Sequence, residues 1–162
     1  MTTSKIKKIA TKGIVTFCGL GLSPVAPGTV GSLGAVILWI ATHYAYPHIL
    51  TGYYLILIGF GLNLIFVPKY LKNNTHKDPK EVVIDEVLGQ WIALTSAGTN
   101  LLLVFISFAL FRVFDILKPW PINKIDQLSG STVKNTFSLV FDDVLAGLSA
   151  AGLLFLIKIF LG

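Results

Sequence analysis

The chain has 162 residues, which is enough for one domain. Hydrophobic residues make up 54% of the sequence and charged residues only 13%, whereas a soluble domain usually carries about 25% charged residues. This composition excludes an ordinary soluble domain and indicates that lipid is the solvent for much of the surface. The net charge is +5, but the lysines flank apolar runs and do not interleave with aromatic residues, so the pattern argues against nucleic acid as a partner.

The first 22 residues combine a basic segment and an apolar one. Four lysines lie within residues 1–12, and residues 13–22 are mostly apolar and rich in glycine. We predict a short N-terminal amphipathic segment here. A cleaved signal peptide has the same order of segments, but this apolar part is short and no small-x-small cleavage site follows it. The single cysteine, Cys18, excludes an internal disulfide.

Long apolar runs recur along the rest of the chain. They are too long for strands and lack the alternation of a half-buried strand, and lipid permits only helices or closed barrels to span a bilayer. We therefore predict an all-α fold, a polytopic membrane helix bundle with about four to five membrane-embedded helices, built as a single domain over residues 1–162. The runs cover residues 30–46, 49–67, 81–98, 100–117 and 137–161.

The lysines indicate which membrane face each loop occupies. They crowd residues 5–12, 69–80 and 118–134, and five alternating crossings put all three segments on one side. The positive-inside rule makes that side the cytoplasm. Lys158, near the end of the last run, is the exception and is expected at the far face.

Acidic residues converge on the same face. Asp85 and Glu86 enter the third run from the cytoplasmic side, Asp115 lies at the cytoplasmic end of the fourth, and Asp142 and Asp143 lie in the first turns of the last. The orientation is assigned from lysines alone, so this convergence is an independent observation. Because an ionised group at membrane depth is costly, it is rarely present without a partner or a function.

The two adjacent acidic pairs predict a metal site. Like charges so close together disfavour ionisation unless a cation neutralises them. Hard oxygen ligands suit Mg²⁺, which usually also binds substrate phosphate, and no cluster of histidine and cysteine indicates zinc. We predict that Mg²⁺ is held by Asp85, Glu86, Asp142 and Asp143.

Arg112, Asp115 and Lys118 are spaced three residues apart, which puts them on roughly one face of a helix. Two interpretations stay open. The three residues form ion pairs that stabilise the helix end, or Arg112 and Lys118 bind a phosphate while Asp115 orients one of them or binds the metal. Arg112 is the only arginine in the chain, and its planar guanidinium suits phosphate oxygens.

Residues 23–32, SPVAPGTVGS, precede the first long run. Prolines make this segment rigid and glycines make it permissive, and backbone N–H groups at the following helix start can bind an anion. It is either an anion site or an ordinary loop leading into a helix, with Thr29 or Ser32 as the cap. In the first case the substrate-binding candidates are Pro27, Gly28, Thr29 and Ser32.

Small residues predict close packing between the third and last runs. Gly147 and Ala150 lie in the last run and Gly89 lies in the third, and small residues let membrane helices approach closely. Such packing would bring Asp142 and Asp143 near the other carboxylates.

Three functions are compatible with this site: metal-assisted hydrolysis of a phosphorylated lipid, transport of a small cation or proton, and a non-enzymatic membrane subunit. A transporter favours carboxylates near the membrane midplane, whereas these lie towards one face. Other phosphatase chemistries lack their residues, since no arginine follows Cys18 closely, one arginine is too few for a histidine phosphatase, and no Asp-x-Asp motif or CDP-alcohol phosphotransferase pattern is present.

Four segments together resemble phosphatidylglycerophosphatase A. They are GLGLSPVAPGTVGSLGA at 19–35, VVIDEVLGQWIAL at 82–94, FRVFDILKPWPI at 111–122 and FDDVLAGLSAAG at 141–152. Each motif is weak alone, but the four in the order of the family are specific. The resemblance implies an all-helical enzyme and, in bacteria, a location in the inner membrane. With the side assigned from the lysines, we expect the active site to face the cytoplasm.

The resemblance also implies a reaction, the Mg²⁺-dependent hydrolysis of phosphatidylglycerophosphate to phosphatidylglycerol and phosphate in phospholipid biosynthesis. One departure is SGSTVKNTFSLV at 129–140, where the family often has a glycine-rich stretch. That difference leaves the role of this segment at the substrate entrance open. The predicted catalytic residues are Asp85, Glu86, Arg112, Asp115, Lys118, Asp142 and Asp143.

Overall fold

The structure, a computed structural model, describes residues 3–48, 50–72, 79–128 and 130–161. These residues form seven α-helices and a short 3₁₀ turn at Leu20–Leu22, with no strand among them. The prediction of an all-α fold is therefore confirmed. The helices are α1 (Thr3–Val15), α2 (Pro27–Ala45), α3 (Thr51–Lys72), α4 (Ile84–Leu94), α5 (Leu101–Leu117), α6 (Ile122–Asp126) and α7 (Thr132–Leu161).

Within the described ranges, three helices are long and apolar enough to cross a membrane, namely α2, α3 and α7. The predicted number of four to five is not confirmed. The run at 81–98 contains only the 11-residue α4, which is about 16 Å long at 1.5 Å per residue, whereas the hydrocarbon core of a bilayer is about 30 Å thick. Residues 95–99, TSAGT, form turns, so the helix ends well before the run does.

The short helix α4 forms the centre of the bundle. Nine of its eleven residues are buried, and it packs against α2, α3, α5 and α7. A helix that is buried on all sides needs no polar face. The surrounding helices instead expose large apolar side chains, such as Ile37, Leu57 and Phe105, each more than 60% exposed, which is the surface expected of a protein solvated by lipid.

Polar contacts between helices fix their directions. Trp91 Nε1 of α4 donates to the Ala35 carbonyl of α2 at 3.0 Å, and Trp39 Nε1, further along α2, donates to the carbonyl of Gly98 at 2.8 Å. The two helices therefore run in the same direction. The starts of α2 and α4 accordingly lie at the same end of the bundle.

The helix α1 corresponds to the predicted amphipathic segment. Its four lysines are exposed, whereas Val15 at its end is fully buried. The Val15 carbonyl accepts a hydrogen bond from the backbone N–H of Val83 at 2.9 Å, just before α4 begins. The N-terminal helix thus supports the approach to the central helix.

The helices α4 and α7 approach closely at two glycines, as the small residues predict. A Cβ atom added to Gly147 would overlap the Gly89 carbonyl, and one added to Gly89 would lie 2.6 Å from the carbonyl oxygen of Asp143. A hydrogen bond of 2.9 Å from Ser96 Oγ to the Ala151 carbonyl continues this contact. The approach brings the Asp142–Asp143 segment alongside the start of α4.

Replacing Gly147 with alanine should separate α4 from α7 and destabilise the fold by about 2 kcal/mol, because the added methyl group has no room. Gly152→Ala is the matched control on the same helix, since nothing lies within 4 Å of its added Cβ atom. Unfolding of both variants by sodium dodecyl sulfate in mixed micelles measures the difference. A Gly147→Ala protein as stable as Gly152→Ala would contradict the packing described here.

Candidate active site

Three carboxylates meet at the end of the bundle where α2 and α4 begin. Asp85 and Glu86 occupy the first turn of α4, and Asp143 comes from α7. One oxygen from each lies within 4.8 Å of the others, and the Asp85 and Asp143 residues are only 3% and 4% exposed. Three like charges this close in a dry environment repel one another strongly unless a cation lies between them.

The carboxylate of Glu86 is suited to a ligand that the protein itself does not supply. Its Oε2 atom is buried and has no hydrogen-bond partner in the described part of the chain. A buried polar atom left unpaired is costly. The three oxygens therefore form an arrangement that could hold a metal ion, and their hard-donor character suits a cation such as Mg²⁺ rather than a thiophilic metal.

Asp142 points to a different partner. Its carboxylate accepts a hydrogen bond from Lys118 Nζ at 2.6 Å, and it is not among the three carboxylates that converge. Adjacent residues on an α-helix project about 100° apart. Asp142 and Asp143 face different neighbours, since Asp142 contacts Lys118 and Asp143 lies with Asp85 and Glu86. The predicted ligand set of four thus divides into three converging groups and one that pairs with a lysine.

Lys118 is held by two carboxylates. Besides Asp142, its ammonium group pairs with Asp126 of the short helix α6. Partial burial by itself lowers the pKa of Lys118, but the hydrogen bonds to Asp126 and Asp142 outweigh that effect and raise the pKa above its usual value. Lys118 therefore stays cationic at neutral pH beside the acidic group.

Lys118 lies at the C-terminal end of α5. It ends α5 in the left-handed conformation, with φ at 42°, which is unfavourable for a residue with a side chain. A cation at a helix C-terminus is favoured by the helix dipole. The strained backbone, the dipole and the two carboxylates together fix the ammonium group.

Arg112 joins α5 to α2. Its Nη1 atom pairs with Asp115 Oδ2 at 2.6 Å and donates to Ser32 Oγ at 3.3 Å. The ion pair considered from the sequence is therefore present. The Nε atom of Arg112 is buried without a hydrogen-bond partner among the described residues, which leaves a donor for an anionic ligand.

The start of α2 packs directly against these charged groups. A Cβ atom added to Gly28 would overlap Glu86 Oε1 and would lie 3.4 Å from Arg112 Nη1, so only glycine permits this approach. The N-cap of α2 is Ala26, without a side-chain cap bond, and neither Thr29 nor Ser32 is the cap. Ser32 Oγ instead donates to the Gly28 carbonyl at 2.9 Å while it accepts from Arg112.

A cavity of about 330 Å³ lies between the starts of α2 and α4, the end of α5 and the first half of α7, and neither Ser32 nor Asp126 lines it. This volume lies at the small end of ligand pockets and is large enough for a phosphorylated head group. Its ionisable lining residues are five acidic and three basic, a formal net charge of −2, which a divalent cation would neutralise. The lining includes Pro27, Gly28, Thr29, Lys80, Asp85, Glu86, Arg112, Asp115, Lys118, Asp142 and Asp143.

Two residues at this end of the bundle lie outside the predicted set. Asp126 falls in the predicted polar stretch 118–134, and only the fold of α6 shows that it reaches Lys118. Lys80 lines the cavity and was predicted only as part of a basic loop. The positions of Asp126 and Lys80 in the sequence did not predict either contact.

The divergent segment 129–140 is mostly the first turns of α7. Residue 129 is outside the described residues, and the helix begins at Thr132, five residues before the predicted run. Ser138 Oγ donates to the carbonyls of Ile125 and Asp126 at 2.8 and 2.9 Å. This segment therefore holds α6, and with it the partner of Lys118. Residues 73–78 of the predicted basic loop, with His76, are also outside the described residues.

The fold and the site define an all-helical membrane protein whose buried carboxylates adjoin an arginine and a lysine in one small cavity. The sequence profile described as phosphatidylglycerophosphatase A matches residues 13–158. The chain belongs to the phosphatidylglycerophosphatase A family, and it is accordingly a phosphoric monoester hydrolase.

Three bacterial relatives cover most of the chain. A protein of Bacteroides thetaiotaomicron, provisionally named phosphatidylinositol-3-phosphatase, is 37% identical over 139 residues, 83% of this chain and 84% of the relative. Phosphatidylglycerophosphatase A of Escherichia coli is 35% identical over 145 residues, 86% and 78% of the two chains. The protein of that name in Haemophilus influenzae is 34% identical over 152 residues, 86% and 83%. No solved structure matches the chain.

Replacing Lys118 with methionine should destabilise the protein by about 2 kcal/mol, because it leaves the buried Asp142 carboxylate without its cation. Asp126→Asn is the matched change on the other side of Lys118. The Asp126 side chain is 42% exposed, so its loss should cost less than about 1 kcal/mol. Denaturant titration of both variants in mixed micelles measures the two losses of stability. Equal losses would show that the stability of the protein does not depend on the pairing of Asp142 with Lys118.

Proposed function

We propose that this protein hydrolyses the phosphomonoester of phosphatidylglycerophosphate, which yields phosphatidylglycerol and inorganic phosphate, with Mg²⁺ held by Asp85, Glu86 and Asp143. The observation that carries the proposal is the convergence of three carboxylates, two of them on buried residues, next to Arg112 in one cavity. Two relatives named phosphatidylglycerophosphatase A support the choice of substrate. The product of such a reaction serves phospholipid biosynthesis.

The donor set suits Mg²⁺ as a hard divalent cation. Mg²⁺ is usually held by one or two carboxylates, substrate phosphate and water, and the converging group offers carboxylate oxygens only. The cavity leaves space for phosphate beside them. Asp142 takes the separate role of holding Lys118, since that pair already satisfies its carboxylate.

The basic residues of the chain bind and orient the substrate phosphate. Arg112 is directed by Asp115 and Ser32, so its remaining N–H groups are pre-oriented and can neutralise phosphoryl oxygens at little entropic cost. Lys118 adds a fixed positive charge at the same cavity. When bound, Mg²⁺ supplies Lewis-acid polarisation of the phosphoryl group and lowers the pKa of a water molecule. The exposed apolar helix faces leave the acyl chains of the substrate in the bilayer.

We further propose a multi-pass protein of the bacterial inner membrane whose site faces the cytoplasm. Lysines lie before α2, at the end of α3 and around α6, all at the end of the bundle that carries the cavity. Lys158 lies at the opposite end, where its Nζ donates to the Ser96 carbonyl at 3.0 Å. This distribution agrees with the positive-inside rule, and the relatives named above are bacterial.

A second candidate substrate is a phosphorylated inositol lipid. The Bacteroides thetaiotaomicron relative, which carries that activity in its name, is 37% identical. Both candidates present a phosphomonoester on a lipid head group, so the same metal and arginine chemistry would serve either. Phosphate release by purified protein from phosphatidylglycerophosphate, phosphatidylinositol-3-phosphate and phosphatidic acid, compared as kcat/KM, decides between them.

Alanine at Asp85 or at Asp143 should lower the rate of phosphate release at least about 1,000-fold, because each change removes charge from the converging group. Glu81→Gln is the control, since Glu81 precedes the same helix and does not line the cavity. Membrane insertion of each variant is checked by fractionation. Near-normal turnover by both alanine variants would exclude this site.

Removal of divalent cations with EDTA should abolish phosphate release, and added Mg²⁺ should restore it, because an empty acidic cluster repels the phosphate dianion. Asp143→Asn should raise the Mg²⁺ concentration needed for half-maximal activity. Cation flux through liposomes that contain the protein is measured in parallel. Ion flux without phosphate release would favour a transporter. The absence of both ion flux and phosphate release would favour a non-enzymatic subunit.

A further inference from the structure

Asn63 places an amide inside an apolar candidate span. It lies in α3, is fully buried, and has mostly apolar neighbours along the helix. Amides in such surroundings are costly unless they are hydrogen-bonded. The position therefore calls for a specific partner.

The partner is the first residue of the central helix. Asn63 Nδ2 donates to the Ile84 carbonyl of α4 at 3.0 Å and to the Gly59 carbonyl of its own helix at 3.0 Å. Because both acceptors are carbonyls, only the NH₂ side of the amide can serve them. Ile84 directly precedes Asp85 and Glu86.

Among the described residues, few hydrogen bonds from outside α4 reach its first turn. Its N-cap, Val83, makes no side-chain cap bond, and its backbone N–H is held only by the distant Val15 carbonyl at 2.9 Å. Asn63 adds a hydrogen bond from α3 to the Ile84 carbonyl, one residue further along the chain. This bond directly links α3 to the turn that carries two of the three converging carboxylates.

We propose that Asn63 is a positioning residue for the metal site. It is not among the residues that line the cavity, so it acts through Ile84 and the start of α4 rather than by touching a ligand. This inference rests on the proposed function, since it requires that the carboxylates bind a cation. An ordinary hydrogen bond between membrane helices would stabilise the fold without affecting cation affinity.

Two variants separate positioning from simple stability. Asn63→Ala removes both hydrogen bonds. Asn63→Ser removes the bond to Ile84 but can keep the one to Gly59, because serine in a helix often bonds to the carbonyl four residues earlier. The matched control is Ser96→Ala, which deletes a bond of 2.9 Å from Ser96 Oγ, in the turn after α4, to the Ala151 carbonyl of α7. Ser96 does not line the cavity.

The test uses the purified full-length chain in nanodiscs, with Mn²⁺ as the probe. Free Mn²⁺ is measured by electron paramagnetic resonance to obtain its Kd, and thermal stability is recorded for each variant. We expect both Asn63 variants to raise the Kd for Mn²⁺ about ten-fold or more, the loss typical when a support of a metal ligand is removed. The Mg²⁺ concentration for half-maximal phosphate release should rise in parallel. Ser96→Ala should lower thermal stability and leave both values unchanged.

The failures of the two proposals are distinguishable. If the unaltered protein binds Mn²⁺ but the Asn63→Ser variant binds it with the same Kd, the positioning role is wrong and the metal site stands. If the unaltered protein binds no Mn²⁺ at the site, the metal site itself is wrong and the positioning role falls with it. Asn63→Ser also keeps the test decisive if Asn63→Ala fails to fold.

Discussion

Close contact between α4 and α7 is the constraint on which the site depends. Gly89 and Gly147 let the two backbones touch, and this contact sets how far Asp143 lies from the acidic turn of α4. Dispersion and packing replace the hydrophobic effect as the force between helices in lipid. A side chain at either glycine would therefore change the stability of the bundle and the spacing of its carboxylates together.

Charge balance is the second organising feature. The cavity gathers five carboxylates, and its lysines and arginine compensate only part of their charge. Asp142 and Asp115 each have a basic partner, whereas Asp85, Glu86 and Asp143 face one another. The residual negative charge is what favours a divalent cation, and Arg112 then favours a phosphate next to it.

The sequence predicted some features of this arrangement well and others poorly. The apolar runs predicted a helical protein with a lipid-facing surface, and small residues in two runs predicted the contact of α4 with α7. It overestimated the length of the helix in the third run. Hydrophobicity does not distinguish a buried helix from one that spans a membrane, and residues 95–99, which form the turn, are only partly polar. The sequence provided no means of telling Asp142 from Asp143, because their different contacts, with Lys118 and with the carboxylates of α4, depend on other helices.

By itself, the sequence determined the fold class and the end of the bundle at which charge collects, and it supplied the candidates for metal and phosphate binding. These follow from composition, helical periodicity and the distribution of lysines, which can be read without knowing which helices pack together. Only the tertiary structure decided which carboxylates converge, that Asp126 shares Lys118, and that Asn63 holds the Ile84 carbonyl. Those contacts join residues on different helices, and their geometry depends on how closely the helices pack and on the angle through which each is rotated.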